Sequence, residues 1–378
     1  MGVIRHKIWR DLWEHKGRTL QVVLIIAIGA FAIGTIHGSA ILIEQDISGV
    51  WQGSEPAMVG FQTDPAVDEA MIDALADVEG VDQVEGHLIT RVKWRLSPED
   101  SWQTTLLAAR EYDDQKMNTL TLDDGQWPQR KLMGVERGHD INIGDQIYIE
   151  VDDKEYVVPI GGIVYNPQAA PVSFGGGPQL YTTSERFTQL TGDSKFGTIR
   201  AVLSHYDPEV ATQVADRMQH HLEKQGFEVD AGLEDDERTA SPDKHFIQDE
   251  VDGVFFILTS LSVISLVLGL FLVYNTIMAV VNQQVAQIGM MKAIGATFWQ
   301  ILGIYFALVL GYAFMALLIA VPLGLVGAHQ LRVFLIGLFN MEPGPPQILP
   351  NVILLQALVA VLSPLIVAII PVLSGARV

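Results

Sequence analysis

Hydrophobic positions fall into two regimes along the chain. Four runs, 20–43, 254–281, about 300–327 and 351–373, contain no Asp, Glu, Lys or Arg. Each exceeds the roughly 20 residues a helix needs to cross a hydrocarbon core of about 30 Å, so the pattern predicts four membrane spans. Residues 44–252 are patterned differently. "PAMVGFQTD" alternates as a strand, "PAVDEAMIDALADVEG" repeats with a helical period up to a glycine stop, and "VDQVEGHLITRVKWRL" returns as strand. "TIRAVLSHY", "DPEVATQVADRMQHHLEKQG" and "FEVDAG" form a matching set. The middle is β-rich: "INIGDQIYIEVDDKEYVVPIGGIVY" reads as a hairpin turning near Asp152, Asp153 and Lys154, and "GGGPQLY" re-enters the sheet. Two β-α-β units around this middle predict a split α+β sandwich. The expected fold class is a membrane protein: four transmembrane α-helices with a large α+β extracytoplasmic domain inserted between helices 1 and 2.

Charge gives the direction of the spans. Residues 44–252 hold 41 Asp and Glu against 16 Lys and Arg, a net of −25, while the rest of the chain is +5. An acidic, solvated block of this kind argues against nucleic acid as a partner. Arg5, Lys7, Arg10, Lys16 and Arg18 precede the first span and mark the cytosolic side. The predicted organisation is therefore a cytosolic amphipathic helix (1–19), span 1 (20–43), the extracytoplasmic domain (44–252) and span 2 with a stalk (253–281). A cytosolic loop (282–299), span 3 (300–327), an outer loop (328–350), span 4 (351–373) and a cytosolic end (374–378) follow. Arg332 alone falls on the unexpected side. In 1–19, Ile4, Ile8, Trp9, Leu12 and Trp13 share a face that lies on the lipid bilayer. "HGSA" at 37–40 resembles a cleavage site, but the apolar run before it is longer than a signal-peptide core, which favours an uncleaved anchor.

Candidate chemistry is thin. The chain has no cysteine, which excludes disulfides and thiolate sites. His220 and His221 are adjacent on a helix and point about 100° apart, a poor start for a metal site even with Glu223 nearby. The acidic run 234–237 lacks the alternating ligands of a calcium loop and reads as a solvated linker. "SFGGGPQL" has no following Lys-Ser/Thr and is not a phosphate loop. No nucleophile–base constellation is apparent, so neither a catalytic role nor a cofactor is expected. His37, Asn275 and Gln356 are polar groups inside spans. His37 and Gln356 are expected to reach water or headgroups, and Asn275 to bond across helices at a dimer contact. Phe246, Ile247 and Val251 extend the apolar stripe of span 2 upstream, which predicts a stalk formed with the end of span 1.

The loop between spans 2 and 3 reads QQVAQIGMMKAIGATFWQI over 283–301. It is expected to form a short helix with Gln284, Ile288, Met291, Ala293 and Ile294 on a neutral face and Gly295 as a left-handed stop. As physics alone, such a helix is either a simple connector or a surface for a cytosolic partner. The string resembles the loop signature of FtsX/MacB-type ABC transporter permeases at Ile288, Gly289, Lys292, Ala293, Ile294, Gly295, Ala296, Gln300 and Ile301. "AVPLGLVGA" at 320–328, "PVLSGARV" at 371–378, "INIGDQIYIE" and "GGIVYNP" are similar to further parts of that family. Where the family usually carries Glu, this chain has Gln287, leaving Lys292 as the only charged residue of the loop. The resemblance implies a permease homodimer or pseudo-dimer, a separate cytosolic ABC ATPase and a periplasmic adaptor, in the inner cell membrane. Gln287, Ile288, Gly289, Lys292, Ala293, Ile294, Gly295 and Ala296 would then form the ATPase-coupling loop. Since the chain has no Gly-x4-Gly-Lys-Ser/Thr, ATP hydrolysis is assigned to that partner. Two functions stay open: export or extraction of an amphiphile, and a relay that regulates an outer hydrolase or sensor. The resemblance also leaves open that this is the N-terminal half of a longer member.

Overall fold

The computed structural model describes residues 13–14, 16–233 and 237–377. The expected amphipathic helix before Trp13 and the acidic residues 234–236 lie outside these described residues. The chain divides into two compact units. One falls within Met1–Glu44, Asp249–Leu335 and Pro343–Val378, and the other is Gln45–Gln248 with Ile336–Glu342.

Four long helices build the first unit: α1 (Lys16–Gly53), α5 (Gln248–Gln283), α7 (Phe298–Leu338) and α8 (Pro350–Arg377). All four are long and apolar enough to cross a membrane. Each turns one stripe inward. Val22, Ile26 and Ala30 of α1 meet Val273, Ile277 and Val280 of α5, with Tyr305, Val309, Tyr312 and Ala316 of α7 and Ala360 and Ala368 of α8. These are helical spacings of three and four. The opposite faces stay apolar and uncovered, as at Phe256, Leu268 and Phe271 on α5, Phe314 on α7 and Ile366 on α8. A helix that is apolar all round is at home in lipid, not in water.

Two helices outrun the spans the sequence predicts. α1 continues to Gly53 and α7 to Leu338, about 57 and 61 Å of helix respectively. The predicted outer loop 328–350 is thus helical over its first part, because nothing in "AHQLRVFLIGL" breaks the helix. Asn340 ends it at a left-handed φ of +57°. Met341 N donates to Ile336 O, and Asn340 N to Gly337 O, the paired bonds of a Schellman stop.

The second unit begins with β1 (Val59–Val67), α2 (Glu69–Ala76) and β2 (Val81–Arg95), and ends with β9 (Phe196–Leu203), α4 (Pro208–Lys224) and β10 (Glu228–Ala231). The strands lie in the order β10-β1-β9-β2, with β9 antiparallel to both β1 and β2. These are two interlocked split β-α-β units. Asp207 caps α4 by accepting from Glu209 N and Val210 N, and Ala211, Val214, Ala215, Met218 and Leu222 seat the helix on the sheet.

The middle, expected to be β-rich with a hairpin at 152–154, closes on itself. β3 (Gln103–Ala109), β5 (Met133–Glu136), β6 (Gln146–Val151), β7 (Lys154–Tyr165) and β8 (Leu180–Thr182) join the second half of β2. The pairing runs β2-β3-β8-β5-β7-β6 and returns to β2, closing a small six-stranded barrel. β4 (Thr121–Gly125) pairs with β7 outside this circuit, and α3 (Ser184–Thr191) supplies Phe187 and Leu190 to the interior. Short strands cannot bury two faces unaided, and closure removes their exposed edges. Asp152 and Asp153, both at positive φ, make the tight β6–β7 turn.

Candidate coupling site

Residues 284–301 form a corner between α5 and α7. Gln284 is buried, and its Oε1 accepts from the Tyr305 hydroxyl at 2.8 Å. The short helix α6 (Val285–Ala293) follows, anchored by the fully buried Ile288. Its end is a complete Schellman stop. Gly295 has φ +98°, Gly295 N donates to Lys292 O, and Ala296 N donates to Met291 O. Met291 and Ala296 pack against the helical core, supplying the apolar contact that accompanies this motif. Thr297 and Gln300 then cap α7 reciprocally: Thr297 N donates to Gln300 Oε1 at 2.9 Å, and Gln300 N to Thr297 Oγ1 at 3.4 Å. Ile301 is fully buried behind them.

This accounts for part of the loop signature as architecture. Ile288, Gly295, Ala296, Gln300 and Ile301 are an anchor, a stop, a contact, a cap and a core residue. The remaining positions look outward. Gln287, Gly289 and Ala293 are exposed and Lys292 is half-buried. Met290, Ile294 and Trp299 are 64, 86 and 75% exposed. The expected neutral face is therefore split: Gln284 and Ile288 are buried and Met291 partly so, whereas Ala293 and Ile294 are exposed next to the stop. A Cβ on Gly289 would meet no atom within 4 Å, so its own packing does not require glycine there. Asn275 lies on the exposed face of α5 and, among the described residues, bonds to no other helix of this chain.

Other polar groups carry more structure than the sequence indicated. Gln356 does not reach water or headgroups. It is buried, and its Nε2 donates to Ala30 O on α1 at 3.1 Å and Ala320 O on α7 at 3.3 Å. Gly34 and Gly324 give it room, since a Cβ at either would lie 1.8 or 2.3 Å from that nitrogen. Arg332, out of place by the charge rule, is fully buried and donates to Pro345 O at 3.1 Å. The signal for Gln356 was present: one polar residue in an apolar run, with Gly34 and Gly324 to face it.

The sheet unit has two further tied points. Trp51 at the end of α1 meets His245 edge-on, with ring centroids 4.7 Å apart. The His245 Nε2–H donates to Pro167 O, and Nδ1 accepts from Ile247 N. Burial holds the His245 pKa down to about 4, so this neutral tautomer persists at ordinary pH. The second point is the 336–342 segment. Arg137 donates from Nε to Asn340 O at 3.0 Å while Asn340 Nδ2 donates back to Arg137 O at 2.9 Å. Arg137 also pairs with Asp123 at 2.9 Å and lies over the Tyr165 ring. Beside it, Glu136 is buried and takes a 2.6 Å hydrogen bond from the Tyr181 hydroxyl. Desolvation pushes its pKa up to about 8, against the lowering effect of that bond and of Arg137.

Residues 259–378 match the family model described as FtsX-like permease C-terminal. Among solved structures, the chain is similar to the extracellular domain of the noncanonic ABC-type transporter YknZ from Gram-positive bacteria. The identity is 16% and the TM-score 0.32, over 46% of this chain and 98% of that one. It is similar also to the periplasmic region of MacB from Actinobacillus actinomycetemcomitans, at 12% identity and a TM-score of 0.33, over 47% of this chain and 89% of that one. No curated protein matches the chain. Residues 259–378 thus carry an FtsX-like permease C-terminal domain, on a chain whose four apolar helices, with a mixed-sheet unit between the first and the rest, make it a multi-pass protein of the cell membrane.

Proposed function

We propose that the chain is the permease subunit of an ABC-type transporter. It acts as a homodimer or beside a homologous half, a separate cytosolic chain hydrolyses ATP, and that chain's movement drives the sheet unit beyond the membrane to export or extract an amphiphile. An outer adaptor would receive the substrate. The observation that carries this reading is the α6–α7 corner. Its buried residues suffice to build it, yet Met290, Ile294 and Trp299 remain outside as an apolar surface beside Lys292. Such a surface is costly in water and marks a docking point. The basic residues before the first span support a cytosolic position for that corner and an outer one for residues 45–248. A second reading, a relay that moves an outer partner without passing a substrate, is favoured by the Arg137–Asn340 clasp, which would serve as a mechanical tie.

The test is recovery of the tagged chain from its native membranes, with ATP turnover measured on the complex. Ile294→Asp and Gly295→Val should each lose the ATPase while still inserting. Unchanged recovery and turnover in both would reduce the corner to a connector. Because the chain has no cysteine, sidedness is read by single cysteines at Thr297 and Asp152 with an impermeant thiol reagent on intact cells. Only the latter should label.

A further inference from the structure

β2 runs through both lobes of the sheet unit but is not paired along both edges throughout. One edge is covered by β9 as far as His87, opposite Thr198, and by β6 from Lys93, opposite Glu150. Between them, residues 88–92 pair with β3 on the other edge and, among the described residues, with no strand on this one. The open edge faces a cleft of about 610 Å³, whose lining includes Thr90, Arg91, Glu150, Asp152, Asp193 and Gly197.

We propose that this gap is a docking site for an extended, basic segment of a partner polypeptide, which completes the sheet by lying along β2 between the ends of β9 and β6. Five strand residues span about 17 Å, the length of an ordinary short strand. Backbone groups of a strand alternate between its two edges, so part of those on 88–92 point away from β3 and have no strand to meet. An added strand supplies partners to such groups, and alternate side chains give selectivity. Both neighbours of the gap run antiparallel to β2, and an inserted segment would do the same. Charge selects the occupant. Lys93 is held by Glu150 at 2.7 Å, which leaves Arg91 and Lys195 against Asp152, Asp153 and Asp193, in a block of net charge −25 over 44–252. There is also room, since a Cβ on Gly197 would meet nothing within 4 Å. The site rests on the sheet unit alone and is independent of the α6–α7 corner.

The experiment uses the full chain in lipid nanodiscs and a fluorescein-labelled heptapeptide, Thr-Lys-Val-Lys-Val-Lys-Thr, followed by anisotropy. The same peptide N-methylated at alternate residues keeps its charge and loses strand donors, and a Glu-for-Lys version reverses the charge. The parent should bind saturably, the N-methylated peptide at least about tenfold more weakly, and the Glu version not measurably. Gly197→Val should weaken the parent about tenfold with an unchanged circular dichroism spectrum; if it does not fold, Asp193→Lys carries the same test. Equal binding of parent and N-methylated peptides would reduce the effect to bulk charge and overturn the proposal. So would an absence of saturable binding, or binding indifferent to the cleft variants.

Discussion

Arg137 and Asn340 hold each other through both main chain and side chain. The guanidinium donates to the Asn340 carbonyl while the Asn340 amide donates to the Arg137 carbonyl. Asn340 is also the left-handed residue that ends α7. One residue therefore ends a helix and, within the second unit, holds the residue that follows β5. Gly138 follows Arg137 at φ +87°, and a Cβ there would lie 2.9 Å from Asn340 Oδ1, so the approach itself needs glycine.

Arg137→Ala should strip the Asn340 carbonyl of its donors and leave Asp123 without its partner. A loss of about 2–3 kcal/mol is expected for charged hydrogen bonds at a covered site, read as lower thermal stability in detergent. Asn340→Gly keeps the helix stop and loses only the returned bond, so its loss should be about 1 kcal/mol or less. Equal effects would show that the stop, not the clasp, matters.

The three-helix bond of Gln356 predicts a paired result. Gly34→Ala places a methyl 1.8 Å from Nε2 and 2.2 Å from Cδ of Gln356, too deep for the side-chain tip to escape. Overpacking of this kind costs about 1–3 kcal/mol. Adding Gln356→Ala should return most of that stability, whereas independent sites would show two additive losses. Denaturation of wild type, the two single variants and the double variant by increasing detergent harshness measures the coupling.

Glu136 makes the sheet unit sensitive to alkali. Its pKa rises from the free value of 4.5 to about 8, so the folded state favours the neutral acid. That contribution is full below about pH 4.5 and is lost as pH rises through about 8. Glu136→Gln should flatten the fall in melting temperature between pH 6 and 9. An identical slope in wild type and variant would place the sensitivity elsewhere.

His245 gives the opposite sign. Its pKa falls from 6.5 to about 4, so its contribution is full above pH 6.5 and is lost as pH drops through about 4. Protonation removes the Nδ1 lone pair that accepts from Ile247 N. Hydrogen exchange at the Ile247 amide should therefore accelerate between pH 6.5 and 4 beyond the chemical trend, and His245→Ala should show fast exchange throughout that range.

The spans were legible because a bilayer demands length and apolarity and nothing subtler. The split β-α-β pair was legible for a similar reason: caps at Asp207 and stops at glycine act within a few residues. Barrel closure was not, since the β6–β2 join rests on three residue pairs distant in sequence. The α6–α7 corner was half legible. Gly295 announced its conformation, but the outward turn of Ile294 depends on where the stop falls relative to Ile288. Gln356 was seen and misplaced, because hydropathy gives depth along a helix and not the direction a side chain faces.

β2 also decides how the sheet unit yields under load. Two lobes joined by loops could swing on a few soft dihedrals, but here a single 15-residue strand, about 50 Å long, belongs to both. β9 braces it over Val81–His87, and β3 with β6 brace it at Lys93 and Trp94, so torque applied to one lobe is delivered to the other as twist. The compliant stretch begins between His87 and Leu88, where β9 gives way to β3, and the gap along Leu88–Val92 leaves that change of neighbours unbridged. A polypeptide lying in that gap would splint it, turning a torsion spring into a stiff rod.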